Sequence, residues 1–79
     1  MRYETLPFER IRNLRVDADL TQETVAQVLD IKQNTYSQYE LGVLRYPIEA
    51  LIRLALFYNT SIDYLVGLTD EPKPYERKP

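Results

Sequence analysis

The chain contains no cysteine and no histidine. The first absence excludes disulfide staples and thiolate chemistry. The second removes the commonest general base and the commonest metal ligand. With only two glycines there is no Gly-rich loop to cradle a phosphate. The carboxylates are scattered as surface, cap or ion-pair candidates, so no catalytic residue, metal or cofactor is expected and an enzyme is not the reading. No apolar run approaches the ~20 residues of a membrane span. The opening stretch MRYETLPFERIR has no apolar segment of the signal-peptide kind. A cytoplasmic location without a membrane partner is the expectation. Positive charge is also in short supply: 10 Lys and Arg stand against 12 Asp and Glu, a net charge of -2. Nucleic-acid binders are usually basic, so this balance argues against that class and has to be answered.

What the chain does have is helical periodicity. Its 79 residues, 44% apolar and 28% charged, suit one small globular domain with a marginal core. Phe8, Ile11, Leu14, Arg15 and Ala18 form a first stripe, with Pro7 placed for an opening turn. Thr21 is an N-cap by type, and Val25, Ala26, Val28 and Leu29 follow. A third stripe of Ile31, Thr35, Tyr36 and Tyr39 ends at Gly42, a residue suited to a left-handed C-terminal position. Pro47 opens a fourth helix with Ile48, Leu51, Ile52, Leu54, Ala55 and Tyr58 as its stripe, and Asn59 can take the left-handed conformation that ends it. Ser61 caps a short fifth helix carrying Ile62, Leu65 and Val66, and Gly67 closes it. No strand alternation or internal repeat is present. The fold class expected is all-α, with a folded domain over 1–69 and an extended Pro- and charge-rich tail over 70–79, DEPKPYERKP.

Two features stand out. Leu29, Asp30 and Ile31 leave room for only a three- or four-residue turn between the second and third helices, the geometry of a helix-turn-helix pair. Ala26 would lie where those helices cross. Any small five-helix bundle remains compatible with the same spacing. The second feature is the outward face of the third helix, IKQNTYSQYELG over 31–42. Gln33, Asn34, Ser37 and Gln38 sit opposite Tyr36 and Tyr39. A solvated face ordinarily uses the better helix formers Lys, Glu and Ala. Amides and hydroxyls match the paired donors and acceptors of base edges in a major groove.

The stretch TQETVAQVLDIKQNTYSQYELG resembles the Cro and phage-repressor type of helix-turn-helix, the XRE family. Thr21, Gln22, Val25, Ala26, Leu29, Ile31, Ser37, Tyr39, Glu40 and Gly42 all stand in one register. The likeness extends to RIRNLR before it and PIEALIRLALFYNTSIDYLVG after it, about residues 8 to 68. It implies a compact five-helix lambda-repressor-like domain with helices 2 and 3 as the helix-turn-helix. It further implies sequence-specific binding of a double-stranded DNA operator by a transcriptional regulator, read here as a repressor, and a homodimer with the third helix in the major groove. Three departures from the pattern occur. Asp30 stands where the family usually has Gly, Lys32 where it often has a Ser cap, and Thr24 where it has an acidic residue.

The resemblance places base contacts at Gln33, Asn34 and Gln38, with Ser37 on the same face, and a backbone contact at Gln22. Arg45, in the following loop, would meet a phosphate nearby. Lys32 is a poor cap and opposes the helix dipole, a conflict that a bound phosphate would relieve. Arg15 and Glu40 fall at the buried edges of their helices, where charges are tolerable only when paired, so a direct ion pair is expected between them. That pair would cancel one of the three anions between Leu20 and Tyr46, which otherwise outnumber the two cations there, Lys32 and Arg45. The apolar surface of Tyr58, Ile62, Leu65 and Leu68 is the expected dimer interface. The alternative function is a protein-interaction module on the same fold, such as an antitoxin, and the seven tyrosines suit a protein partner. A positive rim around the amide face would favour DNA, and an apolar rim would favour protein.

Overall fold

The computed structural model describes residues 6–78. Phe8, assigned to the first stripe, has a side chain outside the described set. Among the described residues the regular structure is five helices and no strand: α1 (Leu6–Asp17), α2 (Gln22–Val28), α3 (Gln33–Glu40), α4 (Ile48–Phe57) and α5 (Ile62–Leu65). Pro7 falls in the first described turn of α1, where a missing N–H costs nothing. The Thr21 hydroxyl accepts the Thr24 N–H at 3.1 Å and caps α2. In place of an acidic partner, the Thr24 hydroxyl lies 3.0 Å from that of Thr21. Ser61 caps α5 by accepting the Tyr64 N–H at 3.0 Å.

Every one of these helices is closed by the same device. Asp19, Asp30, Gly42, Asn59 and Gly67 carry φ values of 63°, 57°, 79°, 54° and 83°. At each, the left-handed residue donates its N–H back three residues and the next residue donates back five, as in Asp30 to Gln27 and Ile31 to Ala26. These paired bonds satisfy carbonyls that a helix end would leave orphaned. Three of the five positions are filled by Asp or Asn, whose short polar side chains tolerate this conformation. A chain with two glycines can therefore still turn sharply five times. The turn between α2 and α3 runs over residues 29–32 and includes the left-handed Asp30.

The core is Ile11, Val25, Ala26, Leu29, Tyr36, Tyr39, Ala50, Leu54, Ala55 and Leu65, with Leu14, Leu20, Ile31, Tyr46, Leu51, Tyr58 and Ile62 packed against it. Ala26 is buried in α2, as a small residue on the side turned to α3 should be. Three expectations need correction. Ala18 is exposed, because α1 ends at Asp17 and Ala18 sits on the closing turn. Ile48 and Ile52 are 63% and 46% exposed, whereas Ala50 is buried. The inward arc of α4 is set by Ala50, Leu51, Leu54 and Ala55, spaced three and four apart. Size is a poor guide to which side of that helix faces in. Leu65, expected at a dimer interface, is fully buried in the same cluster as Ile11 and Leu54. The single turn of α5 packs on α1 and α4 and turns Leu65 inward, so Leu65 offers no surface to a second chain. Tyr58 and Ile62 are half-buried, and only Leu68 of that set is well exposed.

Residues 70–78 form no helix, as their prolines dictate, yet they are tied to the domain. Thr60 Oγ1 donates to the Pro72 carbonyl at 2.7 Å, Tyr75 Oη to Asp63 at 2.8 Å and Arg77 to the Thr60 carbonyl at 3.2 Å. Arg10 of α1 donates to the carbonyls of Tyr64 and Thr69, pairs with Asp70 at 2.9 Å and lies 4.3 Å above the Tyr64 ring.

Candidate nucleic-acid interface

The short turn presents α3 with its tyrosines inward and its amides outward. Tyr36 and Tyr39 are buried, and Tyr46 from the following loop closes on them with ring centroids 6.5 and 5.0 Å away. This aromatic wall fixes the rotation of α3. Gln33 and Asn34 consequently stand exposed on the opposite side, with Ser37 and Gln38 half-buried beside them. Lys32 and Arg45 are exposed at the two ends of the face. Lys32 makes no side-chain cap, so the first amides of α3 are left without that partner.

Behind the face lies a hydrogen-bonded relay centred on Glu40, whose side chain is only 3% exposed. Arg15 reaches it from α1 with a two-pronged contact, Nε to Oε2 at 2.7 Å and Nη2 to Oε1 at 3.1 Å. The remaining Arg15 Nη1 donates to the Leu20 carbonyl at 2.8 Å. Tyr36 Oη donates to Glu40 Oε2 at 2.6 Å, and Gln22 Nε2 donates to Oε1 at 3.0 Å. Each carboxylate oxygen thus accepts two bonds, which fills its lone pairs. The relay continues outward: Gln33 Nε2 donates to Gln22 Oε1 at 2.9 Å.

Its polarity follows from Glu40 alone. An ionised carboxylate accepts only, so Gln22 must turn its NH2 toward Glu40 and its oxygen toward Gln33. Gln33 must then give one N–H to Gln22. What Gln33 keeps for the outside is one N–H and its carbonyl oxygen, the pair that adenine N7 and N6 require. Gln22 keeps one N–H, suited to a phosphate oxygen. The buried charge therefore orients two amides that would otherwise be free to flip.

The same bonds set the protonation states of the relay. Burial alone would raise the Glu40 carboxyl, but the bonds from Arg15, Tyr36 and Gln22 outweigh it and hold it below its ordinary value of 4.5. The bond to Glu40 raises the Arg15 guanidinium further. Burial, then the bond to Glu40, pushes the Tyr36 hydroxyl far up, so it remains a neutral donor. Burial likewise pushes Tyr58 up to about 12. Because the folded Glu40 value is depressed, its contribution to stability is complete above the unfolded value and is lost as pH falls through the folded one. Stability should decline on acidification below about pH 4.5. Glu40→Gln should be less stable at neutral pH and should flatten that acid limb, as read by urea unfolding at several pH values.

The charge objection weakens on this geometry. Glu40 is paired, whereas Glu23 and Asp30 are exposed. The rim is mixed, since Leu41, Val43 and Leu44 are exposed between α3 and Arg45. Sequence reasoning did not reveal the links from Gln22 to Glu40 and from Gln33 to Gln22. They join residues 18 and 11 apart, and only the crossing of α2 over α3 brings them within reach.

A short turn between two helices, a buried ion pair that ties the second of them to α1 and an amide face turned outward define a helix-turn-helix domain. The chain belongs to that family: the helix-turn-helix family model matches residues 11–65. It is similar to the uncharacterized HTH-type transcriptional regulator YobD of Bacillus subtilis, with 41% identity over 71 residues, covering 89% of this chain and 63% of that protein. It is also similar to the cryptic phage CTXphi transcriptional repressor RstR of Vibrio cholerae, at 44% over 58 residues (73% of this chain, 52% of that one). The HTH-type transcriptional regulator ImmR of B. subtilis is 34% identical over 68 residues, 86% of this chain and 54% of that one. The chain thus spans between half and two thirds of the length of these relatives. No solved structure matches it significantly.

Proposed function

We propose that this chain binds double-stranded DNA sequence-specifically as a small transcriptional regulator, acting as a repressor, with α3 in the major groove. The observation that carries this reading is the relay from Glu40 through Gln22, which leaves Gln33 with one donor and one acceptor facing outward. Asn34, Ser37 and Gln38 supply the neighbouring polar groups. Gln22, Lys32 and Arg45 hold phosphates around them. The relatives named as transcriptional regulators and as a phage repressor support the same role. It is a binding role and not an enzymatic one. We place the protein in the cytoplasm, and among the described residues no helix is long and apolar enough to cross a membrane. A homodimer would double each contact on a palindromic operator and set two copies of α3 about 34–36 Å apart.

Few cations surround the face, so few counterions are released on binding and the salt dependence should be shallow. Arg45→Ala should weaken matched and scrambled duplexes alike and reduce the salt slope by about one unit. A phosphate contact cannot discriminate, because every nucleotide offers the same oxygens. The check is a fluorescence anisotropy titration of both duplexes across several salt concentrations. Loss confined to the matched duplex would move Arg45 from holding to reading, and no binding to any duplex would favour a protein partner.

A further inference from the structure

The outward side of α4 carries an apolar stripe that the domain does not use. Ile48, Ile52 and Leu56 recur every four residues and are 63%, 46% and 56% exposed. They form a line about 12 Å long on one side of the helix. Pro74 and Tyr75 of the tail line a shallow groove beside Ile52 and Leu56, yet the stripe stays open and Tyr75 extends it with an exposed ring. Directly after the first two apolar positions come Glu49 and Arg53, both exposed and without a hydrogen-bond or ion-pair partner among the described residues. Each lies about 100° further round the helix than the residue before it, so both flank the same edge of the stripe.

From this pattern we infer that the outer face of α4 is the contact between two copies of this chain, packed antiparallel about a two-fold axis near Ile52. The proposal rests on the homodimer reading above and assigns it a surface. The charge order argues for a second copy. In an isologous contact, residue i meets residue j and j meets i. With antiparallel helices, an edge faces the same edge of its partner. Glu49 then meets the partner's Arg53, and Arg53 meets the partner's Glu49. Ile52 packs on the partner's Ile52, and Ile48 on the partner's Leu56. A parallel pairing would set this edge against the opposite one, where Leu51 and Ala55 turn into the core, and leave both charges unmatched. The end of α5 is a weaker candidate, because Leu65 is fully buried and Tyr58 and Ile62 are partly so. One helix face makes a small contact, so dissociation on the order of micromolar or weaker is expected.

The test is sedimentation equilibrium of the full chain without DNA, which separates it from the DNA-binding reading. Wild type should pass from monomer to dimer as concentration rises. Ile52→Lys sets two ammonium groups on the axis and should weaken the dimer more than about tenfold. Glu49→Lys and Arg53→Glu should each weaken it about three- to tenfold, since every change acts twice in a symmetric contact. The combined Glu49→Lys/Arg53→Glu chain should recover to near wild type, a rescue that general destabilisation would not produce. All three positions are exposed, and circular dichroism verifies the fold of each variant. A dimer unchanged by Ile52→Lys but lost in Leu68→Asp would overturn the α4 surface and leave the homodimer standing. Failure of the double reversal to rescue would overturn the antiparallel register. Wild type monomeric at every concentration would overturn both.

Discussion

Glu40→Ala should cost about 3–5 kcal/mol of folding stability, the penalty for breaking a buried ion pair by removing one partner. The loss is not one contact. Arg15, whose side chain is 14% exposed, keeps its charge but loses both prongs of its partner. The buried Tyr36 hydroxyl and the inner N–H of Gln22 lose their acceptor at the same time. Small domains have only about 5–15 kcal/mol in hand, and one of this size loses about 4–8 °C per kcal/mol. The melting temperature by circular dichroism should therefore fall by roughly 12–40 °C. A double replacement, Arg15→Met with Glu40→Leu, should recover much of the loss, because an apolar pair of similar volume removes the unpaired charge. It should not recover operator recognition, since nothing would then orient Gln22. A Glu40→Ala chain with wild-type melting would mean that the pair is solvated and interchangeable with water.

Gln33→Ala is expected to lose about 1–3 kcal/mol on the preferred site and to relax preference at one base position. A two-bond amide contact discriminates because the wrong base leaves a donor or acceptor unpaired. Affinity for a scrambled duplex should change little. Gln22→Ala should lose part of the same preference, since Gln33 would then be free to flip, together with one phosphate contact. Competition titrations with duplexes substituted at single positions measure both effects. An unchanged matched-to-scrambled ratio in Gln33→Ala would show that this face does not read bases.

Much of the local structure was legible because it depends on residue types at fixed offsets. Thr21 and Ser61 cap where a hydroxyl before an apolar run should cap. Asp30, Gly42, Asn59 and Gly67 turn where short polar or glycine residues follow a helix. Asp19 does the same, but nothing in its neighbourhood distinguishes it from a solvated carboxylate. The rotation of α4 does not follow from residue size: Ile48 and Ile52 are large and exposed and Ala50 is small and buried, because burial follows the axis of the helix and its neighbours. The burial of Leu65 escapes the sequence pattern for a related reason. The apolar surface of α5 exceeds one face when counted along the chain, but contact with α1 and α4 takes up its most important residue. The Arg15–Glu40 pairing could be inferred from charges on buried edges. The extension of that pair to Gln22 and Gln33 could not, because it depends on side-chain reach across a crossing that no local pattern encodes. The tail is similar: its prolines announce an extended chain, but the acceptors that hold Tyr75 and Arg77 lie on α5 and the turn before it.

The proposed role depends on the amide face of α3 reading base pairs in a duplex. Selection of the wild-type chain against a pool of random duplexes, followed by sequencing of the bound fraction over successive rounds, tests it most directly. Convergence on a short motif is expected, with adenine favoured at the position that Gln33→Ala relaxes, and two copies of the motif about one helical turn apart, roughly 10 base pairs. A bound fraction that never departs from the starting composition would contradict it.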